Sequence, residues 1–171
     1  MRLFIALNFT DEIKSRLLSL RENLRAQSQR GNFSLPENLH LTLAFLGECD
    51  ARQTAAAKQA MTAVAFTPPE ITIDRVGRFR RDGGDIWWAG VSEAPALMAL
   101  QRDLTERLRA AGFALEQRRY SPHIPLGREV FTDAAPWAIE PFGETVSRVE
   151  LMKSERMQGR LTYTAIFAWE G

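Results

Sequence analysis

Two short segments of the same pattern constrain this chain more than any other feature of its sequence. His40-Leu41-Thr42-Leu43 and His123-Ile124-Pro125-Leu126 contain its only two histidines, and each lies in an apolar run typical of a β-strand. Successive side chains of a strand point to opposite faces of a sheet, so each histidine shares a face with the third residue of its segment. Each strand therefore offers one imidazole to one side and two apolar side chains to the other. Two such strands that face each other would hold a pair of imidazoles across a groove.

The remaining pattern of apolar residues, turn residues and helix caps predicts an α+β chain. The predicted helices cover residues 11–27, 50–65 and 95–111. The predicted strands cover residues 2–8, 38–46, 70–79, 85–91, 113–119, 122–128, 146–154 and 161–169. Residues 28–36 are predicted to form a polar loop, and residues 129–144 an irregular segment. The two histidines lie about half a chain apart, which favours two lobes that each carry one histidine strand.

Length and composition indicate one globular domain of ordinary character. A chain of 171 residues, 45% apolar and 25% charged, is long enough to bury a sizeable core. The net charge of +1 provides no overall field that would draw the chain to nucleic acid. No apolar run is long enough for a signal peptide or a membrane span, and the single cysteine, Cys49, excludes an internal disulfide. We expect a cytoplasmic protein without a membrane partner, present as a monomer.

Two isolated histidines favour proton transfer over metal chemistry. A catalytic metal site usually has three or more protein ligands, and neither paired histidines nor paired cysteines occur here. Near neutral pH one imidazole can accept a proton while another, charged, donates one, and displacement at phosphorus needs such groups on opposite sides of the phosphate. Thr42, one pleat from His40, would donate its hydroxyl to a phosphate oxygen. The competing interpretation is structural, because a lone histidine on a strand is more often a structural residue than a catalyst.

The residues that flank the two histidines resemble a known family. Asn38–Glu48 (NLHLTLAFLGE) and Pro122–Leu126 (PHIPL) resemble the two-histidine (2H) phosphoesterase superfamily. Within it, the chain is similar to the bacterial and archaeal RNA 2′,3′-cyclic phosphodiesterases, also called 2′-5′ RNA ligases. The weaker matches that extend this resemblance over nearly the whole chain are Arg2–Ala6, Trp88–Gly90, Gly159–Arg160 and Tyr163–Thr164. The resemblance implies one domain over residues 1–171, with two pseudo-symmetric lobes whose antiparallel sheets line a central groove and whose helices lie outside.

The resemblance also implies an activity and a substrate. The activity is hydrolysis of the 2′,3′-cyclic phosphate at an RNA end, or of a cyclic nucleotide, to a 2′-phosphomonoester, with reversible 2′-5′ RNA ligation. His40 and His123 would be the catalytic acid–base pair, and no metal or cofactor is implied. Two alternatives stay open: another cyclic phosphate as substrate, such as ADP-ribose 1″,2″-cyclic phosphate, or a catalytically weak module that binds RNA ends.

Pro125 is the one clear departure from the family's second His-x-Thr-x motif. Proline has neither the threonine hydroxyl nor a backbone N–H, and by resemblance that threonine helps to hold the phosphate. Proline also restricts this point of the strand to an edge or a bulge. Arg128, five residues after His123, matches a family arginine that approaches the phosphate and is expected to carry more of its binding here.

Several aromatic and basic residues are weaker candidates for contact with RNA. Trp87 and Trp88 point to opposite faces of one predicted strand, so that at most one of them lines a groove. The other aromatic candidates are Phe9 and Phe45. The basic candidates are Arg75, Arg78, Arg80, Arg81, Arg118, Arg119, Arg156 and Arg160. Aromatic residues in strands are more often core residues, and such arginines are as often solvated as bound to phosphate.

Overall fold

Nine strands and three helices make up the computed structural model, which describes residues 1–171. The strands are β1 Arg2–Leu7, β2 Ser28–Phe33, β3 Leu41–Glu48, β4 Glu70–Phe79, β5 Asp85–Val91, β6 His123–Thr132, β7 Trp137–Thr145, β8 Val149–Met157 and β9 Arg160–Trp169. The helices are α1 Asp11–Ala26, α2 Ala51–Thr62 and α3 Pro95–Ala110, with one 3₁₀ turn at Pro36–Asn38. None of the helices is long and apolar enough to cross a membrane.

The strands form two sheets whose neighbouring strands are all antiparallel. The first sheet has the order β3-β1-β8-β9, and the second sheet has the order β2-β6-β5-β4-β7. One histidine segment lies in each sheet, at β3 and at β6. The predicted α+β class with two antiparallel sheets is confirmed. The sheets are not the two halves of the chain, since the first sheet takes two strands from each end.

The helices begin where their caps predict. The Thr10 hydroxyl accepts a hydrogen bond from the Ile13 N–H at the start of α1, and Asp50 forms a reciprocal capping box with Gln53 at the start of α2. Pro95 occupies the first turn of α3, where its missing N–H leaves no hydrogen bond unmade. These local signals explain why the three predicted helices are present with starts accurate to within one residue.

One cluster of 35 buried residues joins both sheets to the helices. The apolar members of the histidine segments, Leu41 and Leu43 in β3 and Ile124 and Leu126 in β6, belong to this cluster. By the alternation of a strand, the histidine faces of both sheets point away from this core. On that face of the first sheet a small separate cluster packs against Tyr163; its members are Phe4, Ala6 and Met152.

Two segments predicted to lack regular structure are edge strands instead. Residues 28–33 form β2, a mostly exposed polar strand that pairs only with β6. Residues 137–145 form β7 at the opposite edge of the same sheet, and Pro141 falls between the paired residues Ala138 and Phe142, where the register shifts. β2 is mostly polar, and the alternation that Trp137 and Ile139 begin in β7 is interrupted at Pro141. Neither segment therefore has the continuous alternation on which the prediction depends.

The predicted strand over residues 113–119 is wrong. Phe113 is buried, but most of the residues that follow are exposed and pair with no strand. This connection leads from the end of α3 to β6, and its position is set by side-chain contacts rather than by a backbone ladder.

Candidate active site

His40 lies immediately before β3 and is almost completely enclosed by aromatic rings. Its exposed fraction is 6%. The imidazole stacks on the Phe4 ring with a centroid distance of 4.8 Å, and the Tyr163 ring meets it edge-on at 5.1 Å. Burial lowers the pKa of His40 to about 4, and the charge of Arg128 adds to this, while a hydrogen bond with the Asn38 backbone acts in the opposite direction. The unliganded protein therefore holds a neutral His40 at neutral pH.

His123 opens β6 and is more accessible. Its Nδ1 atom lies 2.6 Å from the carbonyl oxygen of Ser121, so an Nδ1–H donates to this carbonyl and leaves Nε2 available to a substrate. The rings of Phe79, edge-on at 5.1 Å, and Trp88, tilted at 6.0 Å, flank the imidazole. Burial lowers the pKa of His123, and the bond to Ser121 opposes this shift.

A cavity of about 370 Å³ brings the two histidine segments together. Thr42 from the first segment lines it beside His123 and Pro125 from the second. His40 lies outside this lining, enclosed in its aromatic contacts. A larger open depression of about 470 Å³ at the edge of the first sheet contains residues of both charges and neither segment, so it has no part in this chemistry.

A hydrogen bond links the approach to the second segment with the first. The Tyr120 hydroxyl donates to the backbone carbonyl oxygen of Thr42 at 2.7 Å. Tyr120 precedes His123 by three residues, and burial raises the pKa of its phenol, so the donor stays protonated. This contact fixes the Thr42 peptide relative to the chain that delivers His123.

Pro125 lies where the strand pairing allows a proline. In the pairing of β5 with β6, Trp87 pairs with Gly127 and Trp88 with Pro125, so one residue of β6 between them has no partner. The last pair between β2 and β6 is at Gly127. Pro125 therefore lies at a bulge and beyond the end of its neighbouring strand. The prediction that this point is an edge or a bulge is confirmed.

Arg128 is exposed and takes part in no ion pair of the structure. It lies in a bulge of β6, since Asp85 pairs with Val130 and the next residue, Glu129, has a φ of 52°. Bulges redirect side chains out of the regular alternation. Burial lowers the pKa of His40 and raises the pKa of Tyr163, and the charge of Arg128 acts to lower both.

The aromatic candidates divide between core and groove. Phe9 and Trp87 are buried in the core, whereas Trp88 contacts His123, as the alternation of the strand predicts. Phe45 is 69% exposed and lines the cavity, a suitable position for a ring that stacks on a base.

The basic candidates divide in the same way. Arg78 lies over the Trp87 ring and pairs with Asp85, and both contacts are structural. Arg81, Arg118 and Arg119 line the cavity, although the last two pair with glutamates. The remaining four are placed outside this cavity: Arg75 over the Trp88 ring and against Asp74, Arg80 exposed after β4, Arg156 beside Gly159, and Arg160 beside Glu37.

The sequence pattern assigns no role to three aromatic residues of the site. Phe79 flanks His123, Tyr120 holds Thr42, and Tyr163 contacts His40. All three act on residues more than 40 positions away, so no local spacing could reveal them. No group of three or more histidine, cysteine, aspartate or glutamate side chains lies close enough to hold a metal ion.

Comparisons with known proteins agree on one family. A model of the LigT-like phosphoesterases matches residues 7–88. The RNA 2′,3′-cyclic phosphodiesterase of Archaeoglobus fulgidus is 32% identical over 151 residues, which cover 84% of this chain and 85% of that protein. The Escherichia coli protein of the same name is 29% identical over 173 residues, which cover 98% and 95%. The crystal structure of E. coli LigT with 3′-AMP superposes with a TM-score of 0.83 at 25% identity, covering 98% of this chain and 96% of that one.

Proposed function

The chain belongs to the LigT-like phosphoesterase family, and on this premise we propose that it hydrolyses 2′,3′-cyclic phosphate ends of RNA with His40 and His123 as the acid–base pair. Its membership confirms the resemblance to this family. One observation carries the proposal: residues of both segments line the same cavity, which holds Thr42 beside His123. A structural role for the histidines would require no such meeting of two distant segments.

The proposed reaction is a single displacement at phosphorus. The oxygen of a water molecule forms a bond to phosphorus while the bond from phosphorus to O3′ breaks. The neutral imidazole takes the proton of the attacking water, and the charged imidazole gives its proton to O3′. The products are a 2′-phosphomonoester and a free 3′-hydroxyl. A 5′-hydroxyl of a second RNA in place of water would give a 2′-5′ phosphodiester, which is the proposed ligation.

Two groups are proposed to hold the phosphate. Thr42 lines the cavity, and Arg128 has no competing carboxylate partner in the structure. A hydrogen bond to a charged group contributes about 1.5–3 kcal/mol, and arginine can form two such bonds to one phosphate. Pro125 contributes no donor, so the guanidinium of Arg128 carries a larger share of phosphate binding than it would beside a second threonine.

The cavity also supports RNA as the substrate. It continues past His123 to the exposed ring of Phe45 and the basic side chains of Arg81 and Arg119. Exposed aromatic rings next to basic side chains are suited to a base and the following phosphate. A small cyclic phosphate without a base would leave these groups unused.

Turnover of an RNA oligomer that ends in a 2′,3′-cyclic phosphate tests the proposal directly. The assay compares the wild type with His40→Ala and His123→Ala in the presence of EDTA, and identifies the new end by its resistance or sensitivity to a 3′-specific phosphatase. We expect conversion to a 2′-phosphate by the wild type and a loss of about 1,000-fold or more in each variant, since general acid and base catalysis each contribute about 10²–10⁴-fold.

Pro125→Thr and a panel of cyclic phosphates complete the experiment. Restoring the threonine adds a hydroxyl and is expected to raise kcat about 10-fold. Faster turnover of ADP-ribose 1″,2″-cyclic phosphate than of RNA would move the assignment to that substrate. RNA binding without turnover in both the wild type and Pro125→Thr would contradict the hydrolytic proposal and indicate a binding module.

A further inference from the structure

Tyr163 of β9 completes the aromatic surroundings of His40. Its ring meets the Phe4 ring edge-on at 5.0 Å and the imidazole edge-on at 5.1 Å. The Phe4 ring stacks on the His40 imidazole with a centroid distance of 4.8 Å. The three rings therefore form one packed group on the groove face of the first sheet.

The hydroxyl of Tyr163 has no part in this packing. It makes no hydrogen bond with another group of the protein, although the side chain is half-buried. Burial raises the pKa of Tyr163, so the phenol stays protonated and remains a donor at neutral pH. Phenylalanine would satisfy the ring contacts equally well, so packing alone does not account for a tyrosine at this position.

Arg128 provides an unpaired positive charge that is available to bind an anionic ligand. Its charge acts on both His40 and Tyr163, and no carboxylate of the protein pairs with it. A guanidinium without a carboxylate partner and a hydroxyl without a hydrogen bond form a suitable set of donors for a phosphate dianion or a phosphodiester. The chain also lacks the hydroxyl that the second motif would supply, because residue 125 is proline.

We propose that Tyr163 is a further substrate-contacting residue whose hydroxyl donates a hydrogen bond to a non-bridging phosphate oxygen beside His40. This rests on the proposed function, since it needs the phosphate to lie between the two histidine segments. Tyr163 then supplies a hydrogen-bond donor to the phosphate in a site where Pro125 has no donor.

Tyr163→Phe isolates the hydroxyl from the ring. We expect kcat/KM for the cyclic phosphate to fall about 10-fold or more, with the thermal midpoint of unfolding unchanged because the ring contacts are kept. Thr164→Val is the matched control. It removes a hydroxyl from the next residue of the same strand, on the opposite face, and is expected to leave kcat/KM at the wild-type value.

Sulfur substitution separates a contact with the phosphate from an indirect effect. The two phosphorothioate diastereomers of a nucleoside 2′,3′-cyclic phosphate each replace one non-bridging oxygen with sulfur, which accepts hydrogen bonds poorly. We expect Tyr163→Phe to reduce the rate of one diastereomer about 10-fold and that of the other less than 2-fold. The less affected diastereomer is the one in which sulfur replaces the oxygen that Tyr163 contacts.

Two results would overturn the inference while leaving the proposed function in place. One is turnover of the cyclic phosphate by Tyr163→Phe at the wild-type rate. The other is an equal loss for both diastereomers and the oxygen substrate, which would indicate a structural effect on His40. Failure of the proposed function is distinguishable, because then the wild type itself would not convert the cyclic phosphate and His40→Ala would change nothing.

Discussion

The two imidazoles of the site have different surroundings, and this difference determines their protonation. His40 is closed in by Phe4 and Tyr163, whereas His123 is tied to the Ser121 carbonyl and faces the cavity. Burial lowers the pKa of both, and that of His40 falls to about 4. A bound phosphate would favour the charged form of its neighbours, so the free protein and the complex differ in proton content.

We expect kcat/KM to have a bell-shaped pH dependence with its maximum below pH 6.5. The reaction needs one charged and one neutral imidazole, and kcat/KM reports the pKa values of the free enzyme. Because both values are lowered, the charged form becomes scarce as the pH rises above about 6.5. The rate constant should then fall about 10-fold per pH unit. Steady-state assays from pH 4 to 8 measure this, and a plateau that extends above pH 7.5 would contradict it.

His40 also makes folding stability depend on pH. Its folded pKa lies below the unfolded value of 6.5, so the unfolded chain binds the extra proton first as the pH falls. The stability contribution is complete above pH 6.5 and is lost progressively towards pH 4, by roughly 3 kcal/mol in all. Urea unfolding at pH 7, 5.5 and 4.5 measures the loss. His40→Gln should show a smaller decrease over this range, and an identical decrease would exclude His40 as its source.

At the scale of elements, the sequence predicts what is locally encoded. The capped amphipathic helices and the buried strands carry their own periodicity. Thr42 is a candidate because of its spacing from His40, whereas Arg128 is a candidate only through the family resemblance. The edge strand β2 has no such signal, because most of its side chains are polar and exposed. The roles of Phe79, Tyr120 and Tyr163 were equally inaccessible, since each depends on a partner brought close by the fold.

Glycine at position 77 allows a tryptophan to support His123. A Cβ atom at Gly77 would overlap the Trp88 ring, and Trp88 flanks His123. Gly77→Ala should therefore displace the indole, destabilise the fold by about 1–3 kcal/mol and lower kcat. Thermal unfolding and steady-state kinetics measure both effects.

Gly83→Ala is the control for this substitution. Gly83 lies in the turn between β4 and β5, and a Cβ atom there has no neighbour within 4 Å. The control should keep wild-type stability and activity. If Gly77→Ala matched the control in both, the indole could not depend on the glycine for its position.

At the scale of the whole molecule, the site exists only because two interleaved sheets meet. The first sheet takes β1, β3, β8 and β9 from the two ends of the chain, the second takes β2 and β4 to β7, and the core of 35 residues belongs to both. Neither sheet can therefore form a complete half of the groove from one continuous stretch of chain. Contacts that cross between the sheets set the distance between the two histidine segments.

The Tyr120–Thr42 hydrogen bond links the first sheet to the connection that leads into β6, and we expect its loss to affect activity through Thr42. Tyr120→Phe keeps the ring but removes the donor to the Thr42 carbonyl oxygen, which leaves the peptide of the first segment free to shift. A misplacement of catalytic groups on this scale should lower kcat/KM about 10-fold, and Thr42→Val should lower it by a similar factor. If Tyr120 acts by orienting Thr42, the two losses are not additive, and the double variant should be about as active as Thr42→Val alone.

Activities of the two single variants and the double variant, with thermal midpoints to correct for unfolding, provide this cycle. Losses that multiply to about 100-fold would mean that Tyr120 positions His123 instead, independently of the first segment.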